Sequence, residues 1–181
     1  MRLPIWLSVS VILAFSDSAM GVTYNAGTTA GVMLQPSSSY YHFVYGGFGQ
    51  VGFFDSGFLV RGGYAERPEF RSAGFRDQDS VGYALIGTHL KQSKHQNLSA
   101  FCGGAKVRGY VKRIEESEGD VNSRSYEIGG VMTAVEYKVV LSHIDIGLSY
   151  HAFVGYTSEE ELQSYVAWPY NFAFLQAGTS W

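Results

Sequence analysis

The stretch NFAFLQAGTSW, residues 171–181, decides how this chain is read. Ala173, Leu175, Ala177, Thr179 and Trp181 occupy every second position, the period of a β-strand. Terminal residues usually fray and are polar, because nothing ties them down. A strand that runs to a closing tryptophan predicts that the end of the chain is paired and that its indole has somewhere to be buried.

The opposite end narrows the reading. Arg2, an apolar run from Pro4 to Phe15, and Ala19-Met20-Gly21 follow the basic, apolar, small order of an export signal. The apolar run is shorter than the roughly 20 residues of a membrane helix. Residues 1–21 are therefore expected to be a cleaved signal peptide, and residues 22–181 a single domain. A buried N-terminal helix is the other reading of this stretch.

Composition restricts the class further. Charged residues make up 16% of the chain, against about 25% in a typical soluble domain. Aromatics reach 15%, thirteen of them Tyr, and there are 22 Gly. No later segment is long and apolar enough for a membrane helix. A net charge of −3 gives no reason to expect nucleic acid as a partner. The single Cys102 excludes a disulfide-stapled miniprotein.

Alternating segments predict eight strands: 22–34, 40–53, 58–65, 80–90, 98–112, 125–139, 144–156 and 165–181. Short turns lie at Phe54-Asp55-Ser56-Gly57, at 91–97 and at 140–143. Longer polar connections lie at 66–79, 113–124 and 157–164, with a shorter one at 35–39. In strand seven Ile144, Ile146, Leu148, Tyr150, Ala152, Val154 and Tyr156 share one face. Strand three sets Phe58, Val60 and Tyr64 against Leu59, Arg61, Gly63 and Ala65. Strand five sets Phe101, Ala105, Val107 and Val111 against Cys102, Gly104, Lys106, Arg108, Tyr110 and Lys112. An even count of antiparallel strands, short turns at one end and long loops at the other, predicts an all-β, antiparallel up-and-down transmembrane barrel. Backbone groups in lipid must all be paired, so the last strand must close on the first. Aromatics fall into two groups. Tyr40, Tyr41, Tyr64, Tyr83, Tyr126, Tyr156, Tyr165, Trp168 and Tyr170 lie beside the long loops. Phe53, Phe58, Tyr137 and Trp181 lie at the other end. They predict two interfacial girdles.

In this layout, with its aromatic C-terminus and eight strands, the sequence resembles the small Gram-negative outer-membrane barrels: the OmpA transmembrane domain, OmpX and the Ail/Lom type. The resemblance covers the mature chain and is one of class. It implies an exported protein of the bacterial outer membrane, in contact with lipid and lipopolysaccharide. It also implies that the strand ending at Trp181 is the signal read by the barrel-assembly machinery. No cofactor and no resident metal are expected.

Several groups of residues are candidates for function. Arg61, Lys106, Arg108, Lys112, Glu127 and Asp145 are expected to share the lumen. There they form a charge network that plugs the barrel, or alternatively lines a narrow, porin-like ion path. Asp145, Ser149 and His151 fall on one strand face and are the parts of a hydrolytic triad. They resemble, in reversed order, the His-x-Ser pair of the PagL type of lipid A deacylases. Arg67, Phe70, Arg71, Phe75 and Arg76 mix cations and aromatics in the second outer loop, a composition suited to contact with a host or surface protein. Glu115, Glu116, Glu118, Asp120 and Glu159–Glu161 make the other long loops acidic, as a solvated surface or as divalent-cation ligands. The leading expectation is a structural or surface-contact protein that is not an enzyme. A lipid-modifying hydrolase, a narrow channel and a soluble lipocalin-like carrier remain as alternatives.

Overall fold

The computed structural model describes residues 22–34, 41–53, 57–72, 75–113, 123–156 and 170–180. These form β1 (Val22–Leu34), β2 (Tyr41–Phe53), β3 (Phe58–Glu66), β4 (Phe70–Ser72), β5 (Phe75–Gln92), β6 (Gln96–Arg113), β7 (Ser123–Leu141), β8 (Ile144–Tyr156) and β9 (Tyr170–Ser180). Each barrel strand pairs antiparallel with its neighbour. β3 pairs with β5 from Phe58↔Thr88 to Glu66↔Ser80, and β1 pairs with β9 from Asn25↔Ser180 to Leu34↔Asn171. The sheet is therefore a closed cylinder of eight strands, with β4 added to the outer end of β5. Trp181 lies outside the described residues, but its neighbour Ser180 is paired to the first strand, where closure requires it.

Two short turns show why the chain reverses where it does. Gly57 has φ 64°, which glycine adopts without a Cβ penalty. Ser142 has φ 62° in the two-residue connection between Leu141 and Ile144. A left-handed residue suits the tight hairpins that match strand twist. The β1–β9 seam has its own requirement. A Cβ at Gly31 would meet the Ala173 carbonyl and the Phe174 Cα, so this seam closes only around a bare backbone.

The wall is inside out. Leu148 is 63% exposed, whereas Arg61 is 1% exposed. Val131, Val135, Tyr137 and Leu141 of β7, and Ile144, Ile146, Leu148, Tyr150 and Val154 of β8, all point outwards. From Leu141 to Val131 the strand runs ten residues, about 33 Å at roughly 3.3 Å each. At a tilt of about 45° this gives a belt of about 25 Å, the height of a barrel's apolar band. Phe53, Phe58 and Tyr137 are exposed at the short-turn end, as the lower aromatic group predicts. At the upper end Tyr83, Tyr126 and Tyr170 instead point into the barrel and are buried. Phe43 and Tyr45 of β2 are exposed as well.

Three further expectations are corrected. The connection 66–79 is largely strand: β4 pairs with β5, and β5 begins at Phe75. Its two aromatics, Phe70 and Phe75, stand five positions apart among charged and small residues, so the stretch carries no apolar alternation. Second, the lumen is not polar throughout: an apolar layer lies between the charges of its lower half and the buried Arg67–Asp79 pair at its outer end. The upper half holds Met33, Val44, Val81, Val107, Ile128, Met132, Phe153, Tyr170 and Phe172. Third, Phe101, Ala105 and Val107, expected on the lipid side, face the lumen, and Lys106 and Arg108 face outwards.

Candidate functional site

The lower lumen is organised around one carboxylate. β3 brings Arg61 inwards and β7 brings Glu136 and Lys138. Arg61 Nη1 pairs with Glu136 Oε2, and Lys138 Nζ lies 3.0 Å from Glu136 Oε1. The Arg61 guanidinium sits 4.2 Å from the Phe48 ring centre and 5.7 Å from that of Phe101. Lys138 Nζ sits 5.4 Å from the same Phe48 ring. Ring faces attract cations, and the attraction grows when water is excluded. Two cations thus share one acid and an aromatic floor, and all three charged side chains are buried. Asp145 is also inside, but it accepts from Asn25 Nδ2 and, at 3.4 Å, from the Ser180 hydroxyl.

Of the six expected lumen charges, Arg61 and Asp145 are there. Lys106, Arg108 and Glu127 are not: they form an ion-paired group on the outer wall, with side chains 50%, 67% and 46% exposed. Lys112 occupies a β6 position whose side chain lies outside the described residues. The error has one physical source. The upper lumen is apolar and the outer wall above the belt is wet, so the usual parity of inside and outside is reversed along the upper half of β6. Glu136 and Lys138 were missed, although two charges alternating with Val135, Tyr137 and Val139 are an inward-facing signal.

Ser149 and His151 do meet: His151 Nε2 lies 3.1 Å from Ser149 Oγ. Asp145 does not join them. His151 Nδ1 has no hydrogen-bond partner among the described residues, and Gln176 donates to Ser149 Oγ. The imidazole is held by edge contacts with Tyr83 and Phe174, at 5.4 and 5.2 Å between ring centres. His151 is 1% exposed. The three residues form no triad, and the pair is packed in the lumen, away from the lipid face where an acyl substrate would lie.

At the outer end, Arg67 Nη2 pairs with Asp79 Oδ2 at 2.7 Å, and Tyr126 donates to Asp79 Oδ1. This buried group roofs a small apolar cavity lined by Met33, Val44, Val81, Val107, Tyr170 and Phe172. Arg67 is therefore an internal strut and not a contact residue. Phe70, Arg71, Phe75 and Arg76 lie in the β4–β5 ladder, where Arg71 pairs with Arg76 in register. The acidic loop residues 115–120 and 159–161 lie outside the described residues. On the outer wall beyond the belt, hydrogen bonds from Lys106 and Arg108 hold the Glu127 carboxyl below its ordinary value.

No protein-family pattern matches the chain, and no curated protein matches it in sequence. Solved structures do match. The attachment invasion locus protein Ail of Yersinia pestis superposes with a TM-score of 0.58 at 11% identity, over 88% of this chain and 97% of that one. OprG of Pseudomonas aeruginosa gives 0.54 at 8% identity, over 89% and 96%. The N-terminal barrel of OprF from the same organism gives 0.51 at 11% identity, over 87% and 97%. The fold is that of the small eight-stranded outer-membrane β-barrels.

Proposed function

We propose that this protein resides in the bacterial outer membrane and acts there as a surface-contact and envelope protein. One observation carries the reading: among the described residues, β5, β6 and β7 extend over 18, 18 and 19 residues, against 9 to 13 in the other barrel strands. They carry sheet well above the apolar belt on one side of the barrel. A cylinder that only had to cross lipid would not need that extra height. Ail, similar in fold, has been solved with the heparin analogue sucrose octasulfate, which supports a contact role for a barrel of this shape. The outer ends of β4 and β5, with Phe70, Arg71, Phe75 and Arg76, are the candidate contact surface toward a host or surface protein. The last strand is the segment that the assembly machinery would read during insertion.

The other readings have less support. A hydrolase acting on lipid would need its nucleophile at the lipid face, and Ser149 is enclosed. An ion path would need wet side chains at mid-height, whereas Arg61, Glu136 and His151 are each 1% exposed. The test is display on intact cells. Cells producing the wild-type barrel should adhere to immobilised matrix protein. Cells producing Arg71→Gln/Arg76→Gln should adhere less at equal surface level, measured by heat-modifiable mobility and protease accessibility. Equal adhesion by cells lacking the protein would overturn the contact role.

A further inference from the structure

Asp145 is a carboxylate enclosed in the lumen, 4% exposed, and among the described residues no cation is ion-paired to it. Arg61 and Lys138 are both held on Glu136. The field of Lys138 reaches Asp145, but no ion pair joins them. Asp145 receives only neutral donors, the Asn25 amide and, at 3.4 Å, the Ser180 hydroxyl. A buried charge is costly unless it is paired or coordinates a metal.

The oxygens around it are also short of donors. Asn25 is 8% exposed, and its Oδ1 accepts no hydrogen bond among the described residues. Neither does the buried Oε1 of Gln50, a residue that register places directly opposite Asn25 on β2. Ser180 lies opposite Asn25 on its other side, on β9. Opposite Asp145 stands Gly178. A Cβ there would come within 3.2 Å of Asn25 Oδ1 and 2.9 Å of the Ala26 carbonyl. The bare glycine therefore keeps side-chain atoms out of the space beside the orphaned amide oxygen. Four strands, β1, β2, β8 and β9, thus bring oxygens and one negative charge together at the short-turn end of the lumen.

The donor set says what fits. Among the described residues no three His, Cys, Asp or Glu side chains gather as a metal site, so the imidazole and thiolate sets of transition metals are not met. One carboxylate among amide and hydroxyl oxygens is instead the set of a hard cation. Mg²⁺ demands a near-ideal octahedron and gives up its water reluctantly. Ca²⁺ takes about six to eight oxygens in a flexible arrangement and accepts amide carbonyls.

We propose that Asp145, with Asn25 Oδ1, Gln50 Oε1 and the Ser180 hydroxyl, forms a Ca²⁺ site at the short-turn end of the lumen, completed by water. Asn25 and Ser180 stand on the two strands that close the barrel, so the site exists only once β1 has met β9. An ion bound there holds the seam shut from inside. A single carboxylate keeps the affinity low, with a Kd of about 1 mM, the weak end of the range for Ca²⁺ sites.

The test uses the full mature barrel refolded into phosphatidylcholine nanodiscs and stripped with EDTA. Urea unfolding is followed by heat-modifiable mobility while calcium chloride replaces sodium chloride at constant ionic strength. Ca²⁺ at roughly 10 mM should lower the unfolding constant about tenfold, because it binds the closed barrel and not the open chain. Magnesium chloride should do less. Asp145→Asn, which keeps size and hydrogen bonding, should lose the effect. Gln50→Leu should move the titration to higher Ca²⁺. Carboxyl-carbon NMR reads the site without a variant: the Asp145 signal should move with Ca²⁺, while that of Glu136, held by two cations, stays. A stabilisation that persists in full in Asp145→Asn puts the ion elsewhere and overturns the proposal. So does an Asp145 signal that ignores Ca²⁺, since the oxygens then share a bound water or the carboxyl carries a proton. An equal effect of Mg²⁺ overturns the calcium assignment. If Asp145→Asn does not fold, the Asp145 signal and Gln50→Leu decide.

Discussion

Arg61 and Glu136, 75 positions apart in the chain, form an ion pair inside the barrel that joins β3 to β7. The two strands are not neighbours in the sheet, since β5 and β6 lie between them. The pair therefore crosses the lumen and ties opposite walls together. Lys138, on the same acid, leaves the trio with one excess positive charge.

Glu136→Gln should be among the most damaging single substitutions in this protein. It leaves Arg61 and Lys138 enclosed with no acid between them. Removing one partner of a buried pair costs about 3–5 kcal/mol. Urea unfolding in liposomes, read by tryptophan fluorescence and gel mobility, should show a loss of that order. The triple change Arg61→Met/Glu136→Leu/Lys138→Met removes all three charges at similar volume and should recover most of it. A single variant as stable as the wild type would mean that water reaches the cluster freely.

Ser149→Ala should leave lipid A unaltered in mass spectra of whole cells, with the same acyl pattern as cells producing the wild type. The substitution removes the acceptor for Gln176 and the partner of His151 Nε2. Its cost should be about 1 kcal/mol of stability, that of one buried hydrogen bond. A deacylated lipid A species present with wild type and absent with Ser149→Ala would restore the enzymatic reading.

The barrel was legible in the sequence because lipid imposes one rule on every strand it touches. Ile144, Ile146 and Leu148 alternate with Asp145, Gly147 and Ser149, and the structure turns the first set out and the second in. Chain order then fixed the pairing, since each strand meets its neighbour in sequence. Reading failed where lipid was not the solvent. Along β6, Lys106 and Arg108 lie outside while Phe101 and Val107 lie inside, so hydrophobicity alone assigns that strand backwards. The lumen pairs failed for another reason. Register sets Glu127 beside Arg108 on the next strand, and the two do pair, but on the outer wall, so register offers Arg61 no acid. The actual partner, Glu136, comes from across the cylinder, a distance that pairwise register does not reveal.

Gly31→Ala should weaken closure of the barrel. The added methyl would meet the Ala173 carbonyl and the Phe174 Cα across the β1–β9 seam, and backbone cannot swing aside as a side chain can. Overpacking of this kind costs about 1–3 kcal/mol. Gly49→Ala is the control, because a Cβ there meets nothing within 4 Å. Folding yields into detergent micelles, scored by heat-modifiable mobility, should fall for the first variant and hold for the second. Equal yields would show that the seam relaxes at little cost.

Glu127 should titrate below its ordinary value of 4.5, because Lys106 and then Arg108 hydrogen-bond its ionised form. A depressed carboxyl contributes stability that is fully present above the unfolded value and is lost as pH falls through the folded one. The ion-paired group should thus be intact at neutral pH and come apart only as pH falls below the ordinary carboxylate range. Its effect on global stability should be small, because all three side chains are half exposed or more nearly so and solvent screens them. Carboxyl-carbon NMR of the barrel in nanodiscs reads the titration directly. Lys106→Gln should move the midpoint upwards, and Lys106→Gln/Arg108→Gln should bring it back to the ordinary range. A wild-type midpoint already in that range, unmoved by either variant, would mean that the two cations are not held on the acid. The outer-wall group would then be three independent surface charges.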